Sequence, residues 1–124
     1  METYIRFLGT AATQPYNKRC ASGIMYHHNG INILLDCGEG ITRQILIYCE
    51  AISVDAIFIT HFHGDHWYGI FGLLDTLNKN NRTEPLNLYG PKIPFNARVM
   101  VLEKSYSYKI NFIPVIENIV FAYS

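Results

Sequence analysis

Cysteine, long apolar runs and an excess of either charge are all scarce in this 124-residue sequence. Its three cysteines, Cys20, Cys37 and Cys49, are odd in number and lack C-x-x-C spacing. This pattern indicates free thiols in a reducing compartment rather than a disulfide framework. No apolar run approaches the roughly 20 residues of a membrane-spanning helix. We therefore expect a protein without a membrane span, located in the cytoplasm or, as the alternative, in an organelle.

Neither sign of charge dominates, because ten Lys and Arg residues balance ten Asp and Glu residues. This balance argues against a broad basic surface for a nucleic-acid backbone, although it leaves room for a local basic patch. The basic residues assigned to loops, Lys18, Arg19, Lys79 and Arg82, are expected to be solvated. With 49% hydrophobic and 16% charged residues, the chain is typical of one globular domain.

The hydrophobic pattern predicts an α/β fold that opens with hairpin-rich β structure. Residues 3–9 alternate as a strand, and Asn29-Gly30 between two apolar runs predicts a tight hairpin. Further strands are predicted over residues 55–60, 86–91, 109–116 and 118–124. A helix is predicted over residues 96–106. Two other helices are marked by apolar stripes, namely Ile41, Ile45, Tyr48 and Cys49 in the first and Ile70, Leu73, Leu74 and Leu77 in the second.

Four side chains of types that bind metal ions lie in the stretch ITHFHGDHWYG: His61, His63, Asp65 and His66. In an extended backbone His61 and His63 point to the same side, and a reversal at Gly64 brings Asp65 and His66 back towards them. The cluster follows a predicted strand, where open α/β sheets place their ligand sites. Imidazole and carboxylate ligands suit Zn²⁺ and other borderline divalent ions, so we predict a metal site. Asp65 could also hold and deprotonate an attacking water.

If a pair of ions shares this site, the four side chains cannot complete both coordination spheres, and further ligands are required. No histidine follows His66 in the sequence. His27 and His28, beside the hairpin turn, are expected to be exposed, and Asp75 is expected to be solvated on a helix. Asp36 ends a predicted strand. It could orient a ligand histidine by a hydrogen bond, or simply cap the following turn.

The histidine-rich stretch resembles the H-x-H-x-D-H motif of hydrolases with the metallo-β-lactamase fold. Three more segments, FLGTAATQPYNKR, LLDCGEGITRQI and PLNLYGP, have the order and spacing of ribonuclease Z, the endoribonuclease that processes the 3′ end of tRNA. The histidine motif alone marks only the superfamily, whereas DCGEG and the run from HGDH to YGP resemble ribonuclease Z in particular. Ile41 and Phe71 depart from the Thr and Pro that are usual in this family.

The resemblance implies an αββα sandwich, a homodimer and two zinc ions in each complete active site. It implies that His61 and His63 bind the first zinc ion and that Asp65 and His66 bind the second. Asp65 is also the implied proton acceptor, and Asp36 has a supporting role. The implied reaction is hydrolysis of precursor tRNA, which leaves a 3′-hydroxyl on the tRNA.

The family's chain is substantially longer, and its second half supplies the remaining ligands and a tRNA-binding arm. We therefore expect residues 1–124 to be the amino-terminal part of a metallo-β-lactamase-fold domain, the first half of the sandwich. Arg19 matches a family position, which leaves a substrate contact open there. Two other functions also stay open. One is a different phosphodiesterase or esterase of the same fold, and the other is a truncated chain that is inactive without a complementary part.

Overall fold

The computed structural model describes residues 2–11, 20–49, 53–92, 101 and 106–116. Its strands are β1 Thr3–Gly9, β2 Gly23–His28, β3 Ile31–Leu35, β4 Ala56–Phe58, β5 Leu86–Gly90 and β6 Ile110–Pro114. Its helices are α1 Ile41–Tyr48, α2 Gly64–Trp67 and α3 Ile70–Lys79. The strands form one sheet in the order β1-β2-β3-β4-β5-β6. The predicted α/β class is confirmed.

The sheet is mixed in strand direction. β2 is antiparallel to both β1 and β3, and the hairpin between β2 and β3 turns at Asn29 and Gly30, as predicted. Both turn residues have positive φ, 52° and 78°, as a tight hairpin turn requires. From β3 to β6 each neighbouring pair is parallel. Because β1 and β3 to β6 therefore run in one direction, their carboxyl ends share one edge of the sheet.

One face of the sheet supports the hydrophobic core. The strand register aligns Met25, Leu34, Ile57 and Leu88 across β2 to β5, and all of these side chains are buried. The helices complete the core with Ile41 and Ile45 from α1 and with Ile70, Leu73, Leu74 and Leu77 from α3. The stripe predicted for α3 is thus buried in full.

Several of the predicted elements differ in extent or fall outside the described residues. Tyr48 is 57% exposed, because α1 has only two turns and its buried stripe ends at Ile45. The strand expected over 55–60 ends at Phe58, since the N–H of Thr60 bonds to the Asp36 carboxylate instead of a neighbouring strand. The helix expected over 96–106 and the strand over 118–124 lie almost entirely outside the described residues.

The opposite face of the sheet is apolar and partly exposed. Ile5 and Phe7 of β1 are 60% and 68% exposed, and Leu35 of β3 is 37% exposed. Tyr26 and Ile33 lie on the same face by register. The described residues therefore supply one sheet and one helical layer of the four layers predicted. No helix in the described ranges is long and apolar enough to cross a membrane.

Candidate metal centre

The histidine-rich segment lies just beyond β4, at the carboxyl edge of the parallel strands. His61, Asp65 and His66 each offer one ligand atom, and these atoms all lie within 4.8 Å of one another. The ring centroids of His61 and His66 are 3.9 Å apart. The structure thus brings together three of the four predicted ligands. No other group of three such side chains meets this distance within the described residues.

His63 lies beside this cluster without joining it. Its exposed ring meets the His61 ring edge-on, with centroids 4.6 Å apart and an angle of 76° between the planes. Its backbone is extended, with φ −71° and ψ 146°, directly before α2. Phe62, between the two histidines, instead packs against Trp67 with ring centroids 5.4 Å apart. This alternation leaves both imidazoles available on one side of the segment.

The glycine at the start of α2 does not serve backbone freedom, and its nearest neighbour is the exposed ring of Tyr68. Gly64 was expected to permit the reversal between His63 and Asp65, yet positive φ values occur at Gly30 and Gly40 among the described glycines and not at Gly64. A Cβ atom on Gly64 would lie 2.3 Å from the ring of Tyr68. The short helix itself therefore makes the reversal, and Tyr68 occupies the space of the missing side chain.

Asp36 is the hydrogen-bond centre beneath the cluster. It is 6% exposed and is the one buried polar or charged residue in the described ranges. Its carboxylate accepts hydrogen bonds from the Thr60 N–H at 2.8 Å, the Thr60 hydroxyl at 3.0 Å and Nδ1 of His66 at 2.7 Å. Its φ of 62° lies in the left-handed region, which Asp and Asn tolerate better than most residues.

These contacts determine which nitrogen of each imidazole carries hydrogen. An ionised carboxylate only accepts, so Nδ1 of His66 donates to Asp36 and the neutral ring keeps its lone pair on Nε2. The Thr60 hydroxyl donates to Asp36, so its oxygen accepts from Nδ1 of His61 at 3.0 Å. His61 therefore also keeps its lone pair on Nε2. Asp36 and Thr60 together prepare both rings to bind a metal through Nε2.

The contact between His66 and Asp65 provides a test of whether a metal fits. Nε2 of His66 lies 3.3 Å from Oδ2 of Asp65. With hydrogen on Nδ1, both of these atoms carry lone pairs and repel each other unless a cation or a second proton lies between them. A divalent cation satisfies both atoms, and a set of imidazole nitrogen and carboxylate oxygen donors suits zinc. The residues present therefore fit a metal ion.

The DCGEG segment forms the support of the site through backbone contacts. The Cys37 N–H donates to the His66 carbonyl at 2.7 Å, and the Gly69 N–H donates to the Cys37 carbonyl at 2.9 Å. A Cβ on Gly38 would lie 2.4 Å from the Asp65 carbonyl oxygen, and one on Gly69 would lie 2.0 Å from the Gly38 carbonyl oxygen. Glycine at both positions lets the two loops approach this closely.

The other ligand-type residues considered in the sequence lie away from the cluster. His27 and His28 are at the end of β2, near the amino-terminal end of β3 and so at the opposite edge of the sheet. His28 is exposed as expected, but His27 is half-buried and its Nδ1 lies 2.6 Å from Oδ1 of Asn32. Asp75 is exposed on α3.

Arg82 is not the solvated loop charge that was expected. Its guanidinium donates hydrogen bonds to the backbone carbonyls of Val54 at 2.7 Å, Glu84 at 2.9 Å and Pro85 at 3.1 Å. It therefore closes the loop between α3 and β5 against the start of β4. Lys79 is exposed as expected. Lys18 and Arg19 lie outside the described residues.

Thr60 is the residue of the site that the sequence reasoning missed. Its side chain connects Asp36 to His61, and its backbone N–H also bonds to Asp36. Its position in the sequence could have indicated this role. A hydroxyl side chain directly before the first histidine of an H-x-H pair can form a hydrogen bond with that imidazole ring. Nothing in the hydrophobic pattern distinguishes Thr60 from an ordinary turn residue.

The amino-acid sequence matches one protein family model and a set of relatives that share one name. Residues 19–119 match the family model of the metallo-β-lactamase superfamily. The chain is 48% identical over 87 residues to "Ribonuclease Z" of Myxococcus xanthus, which covers 70% of this chain and 28% of that relative. It is 43% identical over 110 residues to "Ribonuclease Z" of Methanococcus aeolicus, which covers 87% of this chain and 34% of that relative. The chain thus spans about a third, or less, of the length of these relatives.

Solved structures lead to the same fold. Human tRNase Z, short form, matches with a TM-score of 0.74 and 31% identity, over 90% of this chain and 46% of the human chain. The metallo-β-lactamase fold protein YhfI from Bacillus subtilis matches with a TM-score of 0.76 and 21% identity, over 95% of this chain and 47% of the other. The second match carries information on the fold alone. Together the matches confirm the predicted fold class and the resemblance to ribonuclease Z.

Proposed function

Since this chain belongs to the metallo-β-lactamase superfamily, we propose that it forms part of a zinc-dependent endoribonuclease. The enzyme would mature the 3′ end of precursor tRNA and leave a 3′-hydroxyl on the tRNA. One observation carries the proposal: His61, Asp65 and His66 converge above the buried Asp36 carboxylate. The ribonuclease Z relatives, at 48% and 43% identity, support the choice of substrate.

We propose that His61, His63, Asp65 and His66 are the metal ligands of this chain, with two zinc ions in each complete active site. Zinc, when bound, would lower the pKa of a water molecule and stabilise negative charge on the phosphate. Residues 1–124 would be the amino-terminal part of the catalytic domain. We further propose a homodimer and a cytoplasmic location for the complete protein, as the resemblance implies.

The chain's own residues would act on the proton and on the orientation of the ligands. Asp36 and Thr60 hold the His66 and His61 rings with Nε2 available, so the imidazoles need no reorganisation on binding. A carboxylate has two oxygens, so Asp65 could bind a metal ion beside Nε2 of His66 through one and accept the proton of the attacking water through the other. The water oxygen would bond to phosphorus while the bond from phosphorus to O3′ of the tRNA breaks. O3′ then takes a proton from solvent to become the 3′-hydroxyl, and the trailer keeps the phosphate.

The direct test measures zinc content and tRNA cleavage in the same preparation. We expect the purified complete protein to retain zinc after dialysis and to convert a precursor tRNA with a 3′ trailer into a product with a 3′-hydroxyl. Asp65→Asn should abolish cleavage, whereas Glu39→Gln, an exposed acid in the neighbouring loop, should not. Retained zinc with an intact precursor tRNA would refute the proposed substrate. Cleavage of bis(p-nitrophenyl) phosphate alone would instead favour a different phosphodiesterase of the same fold.

A second possibility, a chain that is inactive without a complementary part, is favoured by the exposed apolar face of the sheet. Ile5 and Phe7 on that face are 60% and 68% exposed. Under this alternative the 124-residue chain cleaves precursor tRNA only after it is combined with a polypeptide that supplies the missing ligands. Cleavage by the isolated chain would exclude it.

A further inference from the structure

A cavity of about 280 Å³ opens at the edge of the sheet opposite the histidine cluster. Its lining includes Tyr4 and Arg6 of β1, His27 of β2 and Asn32 of β3. Asn32 lies at the amino-terminal end of β3, whereas the cluster follows the carboxyl end of the parallel strand β4. The cavity is therefore separate from the proposed metal centre, and nothing in the proposed reaction uses it.

Arg6 brings a positive charge to this cavity without a matching partner. Its Nε is buried and has no hydrogen-bond acceptor among the described residues. Its guanidinium carbon lies 5.3 Å from the centroid of the Tyr4 ring, a cation–π contact that leaves the N–H donors unused. A buried donor on a charged group is costly unless it is paired. The site therefore lacks an acceptor, and the natural partner of a guanidinium is an oxyanion.

The other polar wall of the cavity is held rigidly. The His27 ring stacks on Tyr4 with centroids 4.6 Å apart and planes 16° from parallel. Nδ1 of His27 lies 2.6 Å from Oδ1 of Asn32, which can only accept, so Nδ1 carries hydrogen. The contact fixes the ring in one orientation and leaves Nε2 as its second hydrogen-bonding atom. Arg6, Tyr4 and His27 thus form a continuous, ordered stack along one side of the cavity.

Among the described residues that line the cavity, Glu2 is the one with an acidic side chain, and it does not neutralise Arg6. Glu2 is exposed, and no ion pair joins it to the guanidinium. The size of the cavity also limits the occupant. At about 280 Å³ the cavity lies near the lower end of small-molecule sites, which span roughly 300–1,000 Å³.

We propose that this cavity binds a small carboxylate or phosphate anion, held by the Arg6 guanidinium beside the Tyr4 and His27 rings. The two terminal Nη groups of the guanidinium form the fork that grips two oxygens of one anionic group. Because the site is remote from His61, Asp65 and His66, it stands whether or not the chain acts on tRNA.

The test uses the purified 124-residue chain and the nuclear magnetic resonance signal of the Arg6 Nε–H group. Inorganic phosphate and acetate are titrated separately, with acetamide as the uncharged counterpart of acetate. We expect a saturable shift of the Arg6 signal with phosphate, acetate or both, and no saturable shift with acetamide. The anion with the lower Kd identifies the class of ligand. If neither anion saturates the signal, or if acetamide shifts it equally, the proposal is wrong.

Variants then distinguish specific binding of the anion in the cavity from general attraction of anions to positive charge. Arg6→Gln removes the charge, and Arg6→Lys keeps it without the fork. Arg43→Gln removes an exposed guanidinium from α1, outside the cavity lining. We expect Arg6→Gln to weaken binding of the anion at least about tenfold, with Arg6→Lys intermediate and Arg43→Gln within about twofold of the original. Equal losses in Arg6→Gln and Arg43→Gln would overturn the proposal. The titration of the unmodified chain decides the matter if Arg6→Gln does not fold.

Discussion

Asp36 couples the two imidazoles of the candidate metal centre to the protein core. It bonds directly to His66 and reaches His61 through the Thr60 hydroxyl. The sequence predicted the liganding residue types from spacing alone, and it offered a hydrogen bond to a ligand as one of two roles for Asp36. The connection through Thr60 could not be predicted, because it joins residues that are 24 positions apart.

Asp36→Asn is expected to weaken zinc binding about 10- to 100-fold. The amide keeps the shape of Asp36 and tolerates its left-handed backbone, so the fold should survive, but it lacks the negative charge that holds both imidazole tautomers. Titration calorimetry with zinc measures the change. Glu39→Gln, which removes an exposed acid from the same loop, is the matched control. Unchanged zinc affinity in Asp36→Asn would show that Asp36 does not orient the ligands.

Thr60→Val is expected to weaken zinc binding about tenfold, whereas Thr60→Ser should remain close to the original protein. Valine has nearly the same shape but has no hydroxyl to join Asp36 to His61, and serine restores it. Zinc titration of the two variants side by side gives the comparison. Equal affinities for valine and serine at this position would remove the role assigned to the hydroxyl.

The Cys37 thiol should make the protein less stable in alkali. Burial, and then the charge of Asp36, raise the pKa of Cys37 from its ordinary 9.0 to about 12 in the folded state. Below pH 9.0 both states keep the proton, and the stabilising contribution is fully present. As the pH rises towards 12, the unfolded chain loses the proton first, so the free energy of unfolding falls by about 1.4 kcal/mol for each pH unit.

Urea denaturation at a series of pH values checks this prediction on Cys37→Ala and Cys20→Ala. The three cysteines are free thiols, as predicted, so no disulfide complicates the comparison. The slope of unfolding free energy against pH should flatten in Cys37→Ala and persist in Cys20→Ala. An unchanged slope in Cys37→Ala would contradict the assignment.

At the scale of the elements, the hydrophobic pattern predicted the buried helix face but not the hydrogen bonds that hold the loops. The stripe of α3 was predicted completely, because a helix that packs on a sheet must bury residues at helical spacing. Arg82 was expected to be solvated, but its guanidinium bonds to three backbone carbonyls. Those of Glu84 and Pro85 are local, whereas that of Val54 is 28 positions away and comes close only when β4 and β5 pair. Backbone carbonyls leave no mark in a sequence, so this role could not be inferred from residue types.

Arg82→Gln is expected to lower the free energy of unfolding by about 1–3 kcal/mol, because it leaves the Val54, Glu84 and Pro85 carbonyls without their charged donor. Lys79→Gln removes an exposed positive charge from the end of α3 and should change the stability by less than about 0.5 kcal/mol. Chemical denaturation of both variants measures the difference. Similar stabilities in the two variants would show that Arg82 contributes only its charge.

At the scale of the whole molecule, the two faces of the sheet differ in how much of their apolar surface is buried. One face is covered by α1 and α3, while Ile5, Phe7 and Leu35 leave apolar surface on the other. An αββα sandwich covers that second face with another sheet. This chain matches 46% of the human tRNase Z chain with a TM-score of 0.74.

The isolated chain is expected to self-associate through this face. Large exposed apolar patches drive association in water, and Ile5 and Phe7 lie on one edge strand. The double substitution Ile5→Ser with Phe7→Ser should shift the chain towards monomer in sedimentation velocity. Leu46→Ser with Ile47→Ser changes two comparably exposed residues on α1 and should have little effect. A chain that remains monomeric at every concentration would contradict this prediction.

The sequence by itself determined the α/β class, the hairpin at Asn29-Gly30, the buried stripe of α3 and the choice of His61, His63, Asp65 and His66 as ligand candidates. Each of these follows from local spacing or local residue chemistry. Only the tertiary structure decided that His61, Asp65 and His66 converge while His63 stands beside them, that Thr60 belongs to the site, and that Arg6 lines a separate cavity. The first depends on the conformation of the local turn into α2, which residue spacing does not specify. The other two depend on contacts between distant strands, which arise only when the sheet pairs.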